Sequence, residues 1–358
     1  MLKLKYLMIF TGPLFGAISL WCTGWWTWLL PAYAYLLIPF LELIIPASTK
    51  NFDSGEEQNA LKSQFYDFIL YAQVPIQYGL LLLFLLCITI QDLQFCELSG
   101  RVVSFGVACV VLGINVAHEL GHRTSKLARV LSKALLLTSL YMHFIIEHNK
   151  GHHKHVGTPQ DPATARKGEI LYLFWIRSIT NSYLSALKIE QKRLKSLNHK
   201  WLSKQNQILH FLVLQTTLVT SVYFFFNLQG LLCFLGAATL GILFFETVNY
   251  LEHYGLTRQK TANGNYERVR PIHSWNSNHA IGRAILFEVT RHSDHHYLSS
   301  RKYQVLRSLE EAPQLPTGYP LMILCALIPP LWFFIMHRHM DKIKKERQNL
   351  GNPITSIS

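Results

Sequence analysis

Cysteine is scarce and scattered: six residues, at positions 22, 87, 96, 109, 233 and 325, with no Cys-x-x-Cys pair in 358 residues. This excludes a disulfide framework, a zinc ribbon and a cysteine-held iron–sulfur cluster. Thiols within apolar segments act as small hydrophobes. No Gly-x-Gly-x-x-Gly turn is present, so no nicotinamide or flavin site is encoded. Internal repeats and low-complexity tracts are missing as well. Acidic residues are few, 21 Asp and Glu against 34 Lys and Arg, for a net charge of +13. A nucleic-acid partner would suit that charge, but no nucleic-acid motif accompanies it, and its distribution along the chain has another cause.

That cause is topology. Half of the chain is apolar, concentrated in runs at about 7–24, 26–46, 69–90, 101–117, 208–227 and 230–250. Each run approaches the ~20 residues that span a hydrocarbon layer. The pattern predicts an all-α integral membrane protein of six transmembrane helices, in a single domain over residues 1–358. The first run is not a cleavable signal, because Trp21, Trp25, Trp26 and Trp28 follow it in place of a small-residue cleavage site. Those tryptophans suit an interfacial belt. With the N-terminus inside, the hairpins near 25 and 229 and the loop 91–100 face out. All but Arg101 of the 34 basic residues then lie inside, which fixes the orientation. Two large segments, 118–207 and 251–358, become cytoplasmic. The run 321–336 contains Pro329-Pro330 and reads as a re-entrant or interfacial helix, and the basic tail 338–347 lies against an anionic inner leaflet.

Histidine is what the chain has in abundance. Of 17 histidines, nine stand in four clusters: His118-Glu-Leu-Gly-His122, Glu147-His148-Asn-Lys-Gly-His152-His153, Asn249-Tyr-Leu-Glu-His253-Tyr-Gly, and Arg291-His292-Ser-Asp-His295-His296. Histidines three or four apart share a helical face. Imidazole is the usual ligand for a redox metal when thiolates are not offered. Nine ligands exceed what one ion binds, so the clusters predict a binuclear site at the cytoplasmic edge of the membrane, within a histidine-rich helical region. Zinc would bring no redox chemistry, and ligand type alone admits iron or copper. The other eight histidines, 143, 155, 199, 210, 273, 279, 337 and 339, read as surface or supporting groups, with His155 and His279 the leading candidates for a role beside the metals. Carboxylates adjoin the clusters. Glu119, Glu147, Glu252 and Asp294 are placed to accept the second N–H of a ligating ring. Glu246 lies seven residues before His253 and Asn249 lies one turn before it. An intramembrane carboxylate costs on the order of 2.5–3.5 kcal/mol to insert and so tends to be functional. Glu246, Asn249, Glu119, Glu147 and Asp294 are therefore candidate supports of the ligands. Lacking an electron-transfer centre of its own, the chain must be reduced by another protein.

These clusters, in this order and with these intervals, resemble the integral-membrane alkane 1-monooxygenase (alkane omega-hydroxylase) family of the membrane fatty-acid desaturase and hydroxylase superfamily. The resemblance runs from about the third span to Tyr319 and includes DPATAR at 161–166, PIHSWNSNH at 271–279 and LPTGY at 315–319. It implies six spans in a bacterial inner membrane and a non-haem centre of two Fe ions facing the cytoplasm, held by His118, His122, His148, His152, His153, His253, His292, His295 and His296. It also implies O2 as co-substrate, a medium- or long-chain alkane oxidised to the 1-alkanol, and rubredoxin as donor, itself reduced by an NAD(P)H-dependent rubredoxin reductase. Arg123 stands where the family usually has Lys, and Tyr297 where it has a small residue. A xylene-type side-chain hydroxylase or a fatty-acyl desaturase or hydroxylase would share the clusters.

An alkane is already dissolved among membrane lipids, so a channel between the spans is expected to bring its methyl end to the metals. On a regular helix Ile114 and Val111 precede His118 by one and two turns, and with Leu243 they would line the inner end. Tyr33 or Tyr35 would close the outer end. Arg166, Lys167, Arg301 and Lys302 are candidate contacts for an acidic donor protein.

Overall fold

Backbone groups in hydrocarbon find partners only within their own helix, and the apolar runs are helical accordingly. The computed structural model describes residues 3–349 and residue 357; residues 1–2, 350–356 and 358 of the expected domain lie outside the described residues. Among the described residues pairing outside helices is limited to isolated bridges such as Lys260 with Tyr266. Five stretches are long and apolar enough to cross a membrane. The first four are α1 (Leu4–Trp21), α2 (Gly24–Ile44), α3 (Phe65–Ile90) and α4 (Phe95–Gly121). Helices α5 (Lys126–Leu137) and α6 (Leu171–Ser196) follow. The fifth stretch is α7 (Gln207–His253), 47 residues whose helical geometry breaks at Phe226 and Asn227. Asn227 adopts φ 53°, which Asn tolerates better than most residues, and its Oδ1 accepts the Gln229 and Gly230 amides at 2.8 and 3.3 Å, capping the second half. The break falls where the pattern placed a hairpin.

The chain forms two compact units, Met1–Leu36 with Gln64–Gly151 and Ser182–Phe245, and Leu37–Ser63 with His152–Asn181 and Glu246–Ser358. In the first, helices approach closely where side chains are absent. A Cβ on Gly106 would lie 2.9 Å from the Leu240 Cβ, and one on Gly241 would lie 2.6 Å from the Cys109 Cβ. Phe84 stacks on Phe105 at 4.7 Å. Arg101, the one basic residue expected at the outer border, is fully buried. Its guanidinium donates to the carbonyls of Cys87 and Cys22, both at 2.9 Å, and to Gln91 Oε1, so it supplies donors to helix ends that lack their own. Trp21, Trp25 and Trp26 are exposed, as a belt requires.

Three expectations need correction. The outer loop is shorter than 91–100, because Gln94 and Glu97 form a reciprocal cap that starts α4 at Phe95. Cys96 is exposed and Cys22 partly so, so these two thiols do not behave as buried hydrophobes. The stretch 321–336 is not one helix. It divides into α9 (Tyr319–Ala326) and α10 (Pro329–Asn349), with α8 (His292–Tyr297) earlier in the chain. Pro329-Pro330 remove the amide donors that continuity would need and start the second helix, which carries the basic tail.

Candidate metal centre

In the first unit α4 ends with His118 in its last turn and His122 just beyond it. Four residues apart on one face, their rings lie 5.0 Å from each other. The second cluster brings His148 to 4.5 Å from His118 and 5.1 Å from His122, with His148 Nε2 and His122 Nε2 3.1 Å apart. Phe144 stacks on His148 at 4.7 Å and Phe245 meets Phe144 edge-on at 4.9 Å, so aromatic packing orients this trio. Asn149 Nδ2 donates to the Gly121 carbonyl at 3.1 Å, tying the second cluster to the end of α4.

The second unit gathers four buried imidazoles, His152, His253, His292 and His296, whose ligand nitrogens all lie within 4.8 Å of one another. Nε2 atoms face each other at 3.1 Å in His152–His296 and in His253–His292. His153 and His295 form a separate pair at 3.2 Å. Adjacent helical residues diverge by about 100°, so His152 and His153 part company, as do His295 and His296. The stretch His148–His152 is a π turn, a form common at functional sites.

This donor set fits a metal ion. Imidazoles about 2.0–2.1 Å from one ion lie roughly 3 to 4 Å from each other. Burial, reinforced by the facing His153, His292, His152 and His253 rings, holds His296 well below the usual histidine range, which keeps its lone pair available. Nδ1 of His296 is buried without a hydrogen-bond partner. Four buried imidazoles in so small a volume would be stabilised by a cation that accepts a lone pair from each.

The carboxylates are arranged differently from the spacing argument. His152 Nδ1 meets Asp161 Oδ2 at 2.9 Å, and Thr164 donates to the same oxygen at 2.5 Å. Burial raises the Asp161 carboxyl, but His152 and the hydrogen bonds from His152 and Thr164 outweigh it and hold the group below its ordinary value. Asp161 fixes a ligating ring from its outer nitrogen, and the sequence argument did not single it out; its signal was the DPATAR segment. Glu252 Oε2 approaches His292 Nε2 at 3.2 Å, and its Oε1 accepts from the Tyr319 hydroxyl at 3.0 Å. Tyr319 was likewise not anticipated as a site residue.

Among the anticipated supports, Glu246 accepts from Ser178 at 2.5 Å and from Asn249 at 3.2 Å, forming a buried polar chain. Glu119 pairs with Arg123 at 2.7 Å, and Arg123 also reaches Asp67 at 3.4 Å. Glu147 accepts from Ser185 at 3.3 Å. Asp294 is fully buried between Arg307 at 3.0 Å and Arg301 at 3.3 Å, and Arg301 also pairs with Glu57 at 2.8 Å. Arg301 is therefore an internal strut and not the docking contact expected of it, whereas Arg166 and Lys167 are exposed.

His155 and His279 join neither histidine group; His279 Nδ1 lies 3.0 Å from the Ser277 hydroxyl. His273 binds Glu267 and the Arg270 amide, His337 the Tyr254 hydroxyl, and His339 the Gln314 carbonyl. Of the expected channel residues, Ile114 is buried one turn before His118. Val111 lies inside a π turn, Cys109–Ile114, so the regular-helix register that aligned it with His118 does not hold. The wider turn takes one more residue and rotates what precedes it. Leu243 is half-buried, and Tyr35, within the π turn Tyr33–Leu37, packs on Phe244 at 5.8 Å. Tyr33 is buried against Phe15, with its hydroxyl 2.6 Å from Thr11 Oγ1.

Membrane-length helices and buried histidine groups that could hold metal ions define a class of multi-pass membrane protein, and the fatty acid desaturase family model matches residues 99–339. An alkane 1-monooxygenase of Acinetobacter baylyi is 38% identical over 90% of this chain and 79% of its own length. One of Alcanivorax borkumensis is 36% identical over 90% and 80%. The hydroxylase component of a Pseudomonas putida xylene/toluene monooxygenase is 28% identical over 98% and 91%. The chain belongs to the fatty acid desaturase family, in the branch that holds the alkane 1-monooxygenases.

Proposed function

We propose that this chain is a membrane monooxygenase that converts the terminal methyl of n-alkanes to 1-alkanols, one oxygen atom of O2 entering the product and the other leaving as water with two electrons and two protons. The observation that carries this is the buried quartet His152, His253, His292 and His296 in a chain 33 to 38% identical to alkane 1-monooxygenases over most of its length. The 28% identity to the xylene/toluene component supports the alkane over the aromatic reading.

The nine histidines would hold two iron ions, with the quartet His152, His253, His292 and His296 serving one of them. Iron, when bound, supplies the redox chemistry that activates O2. The protein's part is to keep the rings neutral, oriented and dry. Asp161 holds the outer nitrogen of His152. Tyr319 donates to Glu252, leaving the other oxygen of that carboxylate beside His292. Glu246, Asn249 and Ser178 keep a buried polar chain ahead of His253 on α7.

Six spans follow from counting the halves of α7 separately, which the break at Phe226–Asn227 supports. The one-sided distribution of basic residues supports a bacterial inner-membrane location with the histidines on the cytoplasmic side. The whole chain, 1–358, acts as a single monooxygenase domain. Electrons come from rubredoxin, reduced by its NAD(P)H-dependent reductase, with exposed Arg166 and Lys167 as contacts for its acidic surface. Substrate enters from the lipid, with Ile114, Leu243 and Tyr35 along its path. Turnover of octane, dodecane and a fatty acid by the purified chain with reduced rubredoxin tests the assignment. A 1-alkanol product is expected. Exclusive acyl desaturation would replace it with the fatty-acyl reading.

A further inference from the structure

A cavity of about 420 Å³ opens in the first unit between α5, the second histidine cluster and the last turns of α6. Its volume suits a small polar ligand group. Lys126, Arg129 and Lys133, at i, i+3 and i+7, present one face of α5 to it, and Arg193 and Lys150 add charge from the other walls. The single carboxylate there, Glu190, is already held by Arg193 through two 2.7 Å contacts. Lys126, Arg129 and Lys150 have no carboxylate partner among the described residues, and Lys133 donates to the neutral Gln207 at 3.3 Å and lies 5.6 Å over the Phe211 ring. Burial, then the neighbouring Arg129 and Arg193, hold the Lys133 ammonium below its ordinary value despite Glu190, as expected of cations crowded without an anion.

The remaining walls are apolar at Val130, Ile145, Ile146 and Ile189, with Asn149 and Gln207 the neutral polar groups among them. Val130 and Leu127 are also 61% and 57% exposed on α5, and Leu184 on α6 is 44% exposed. Just beyond α6, Trp201 and the 84%-exposed Leu202 stand among Lys195, Lys200 and Lys204. Bare leucine and tryptophan beside lysine mark the depth at which hydrocarbon gives way to headgroups.

We propose that this cavity binds the phosphate of an anionic phospholipid, its headgroup among Lys126, Arg129, Lys133 and Arg193 and its acyl chains along Val130, Leu127 and Ile189. A carboxylate-rich protein would pair with the same cations but would leave this apolar rim in water. A basic pocket at a membrane interface with greasy walls suits a ligand that has both chemistries.

The test uses the full chain purified in mild detergent, titrated with phosphatidylglycerol, phosphatidylcholine, inorganic phosphate or polyglutamate, with bound mass and melting temperature read in parallel. Phosphatidylglycerol should bind and raise the melting temperature, and phosphatidylcholine should not. Lys126→Gln/Arg129→Gln/Lys133→Gln together should weaken phosphatidylglycerol on the order of 100-fold, and Arg129→Gln alone about 5-fold, should the triple variant fail to fold. Equal binding by wild type and Arg129→Gln would overturn the site. Inorganic phosphate binding as tightly as phosphatidylglycerol would overturn the lipid assignment in favour of a soluble phosphate. Polyglutamate protecting where phosphatidylglycerol does not would overturn it in favour of a protein.

Discussion

In the first unit His118, His122 and His148 are held by helix ends and aromatic faces, with Phe144 against His148 and Phe245 against Phe144. In the second unit the quartet sits amid buried charge. Asp161 pairs with His152, Asp294 lies between Arg301 and Arg307, Glu288 pairs with Arg283 at 2.6 Å, and Arg291 donates to the carbonyls of Leu306, Lys50 and Ser48. Packing tolerates exchange of one apolar group for another of similar volume, whereas a buried ion network fails when one member is lost, because its partner is left uncompensated. The two regions should therefore respond differently to substitution even where both hold ligands.

The largest effects fall on the ligands themselves. His118→Ala in one unit and His253→Ala in the other should each reduce hydroxylation to background, while His143→Ala and His199→Ala retain iron. Full activity in His253→Ala would remove that residue from the set. Next come the frameworks. Arg291→Met should cost about 3 kcal/mol of stability by leaving the Leu306 and Lys50 carbonyls without their charged donor, whereas Leu112→Met in the packed unit should cost less than about 1.5 kcal/mol. Thermal denaturation in detergent reads both, and equal losses would erase the contrast. Asp161→Asn should lower metal retention or activity roughly 10- to 100-fold with helix content unchanged, since the ring loses the partner that fixes its tautomer.

Smaller and more specific is Leu243→Phe, which should shift turnover toward shorter alkanes without loss of iron. An unchanged chain-length profile would show that this face of α7 is not a channel wall. The smallest expected effect is in pH dependence. Burial holds His143 at about 4, against about 6.5 in an unfolded chain. Between those values the unfolded chain binds a proton that the native chain refuses, so this contribution is complete above pH ~6.5 and is lost as pH falls toward 4. His143→Phe should make melting temperature less dependent on pH across that window.

Much of this was legible in the sequence, because hydrophobic length and clustered histidine are local signals. Five stretches of membrane length stand where six apolar runs were expected, and four of the clustered histidines, His152, His253, His292 and His296, form one buried group. Less legible was anything depending on exact helical register. The π turns at Cys109–Ile114 and His148–His152 leave no mark in an apolar or histidine-rich string, yet the first changes the alignment of Val111 with His118. Partners distant in sequence were also hidden. Asp161 meets His152 through a loop, and Tyr319 meets Glu252 across 67 residues, so neither follows from spacing. Charge counting marked Arg301 as a surface contact, but Glu57 from far along the chain and the buried Asp294 draw it inside.

The central claim, that two separately held groups of histidines each serve a metal ion, is tested most directly by iron content per chain. The wild-type protein should carry two iron ions and turn over alkane. His253→Ala/His292→Ala should keep its helix content and carry about one. A wild-type protein with a single iron, or a double variant that still holds two, would contradict the account.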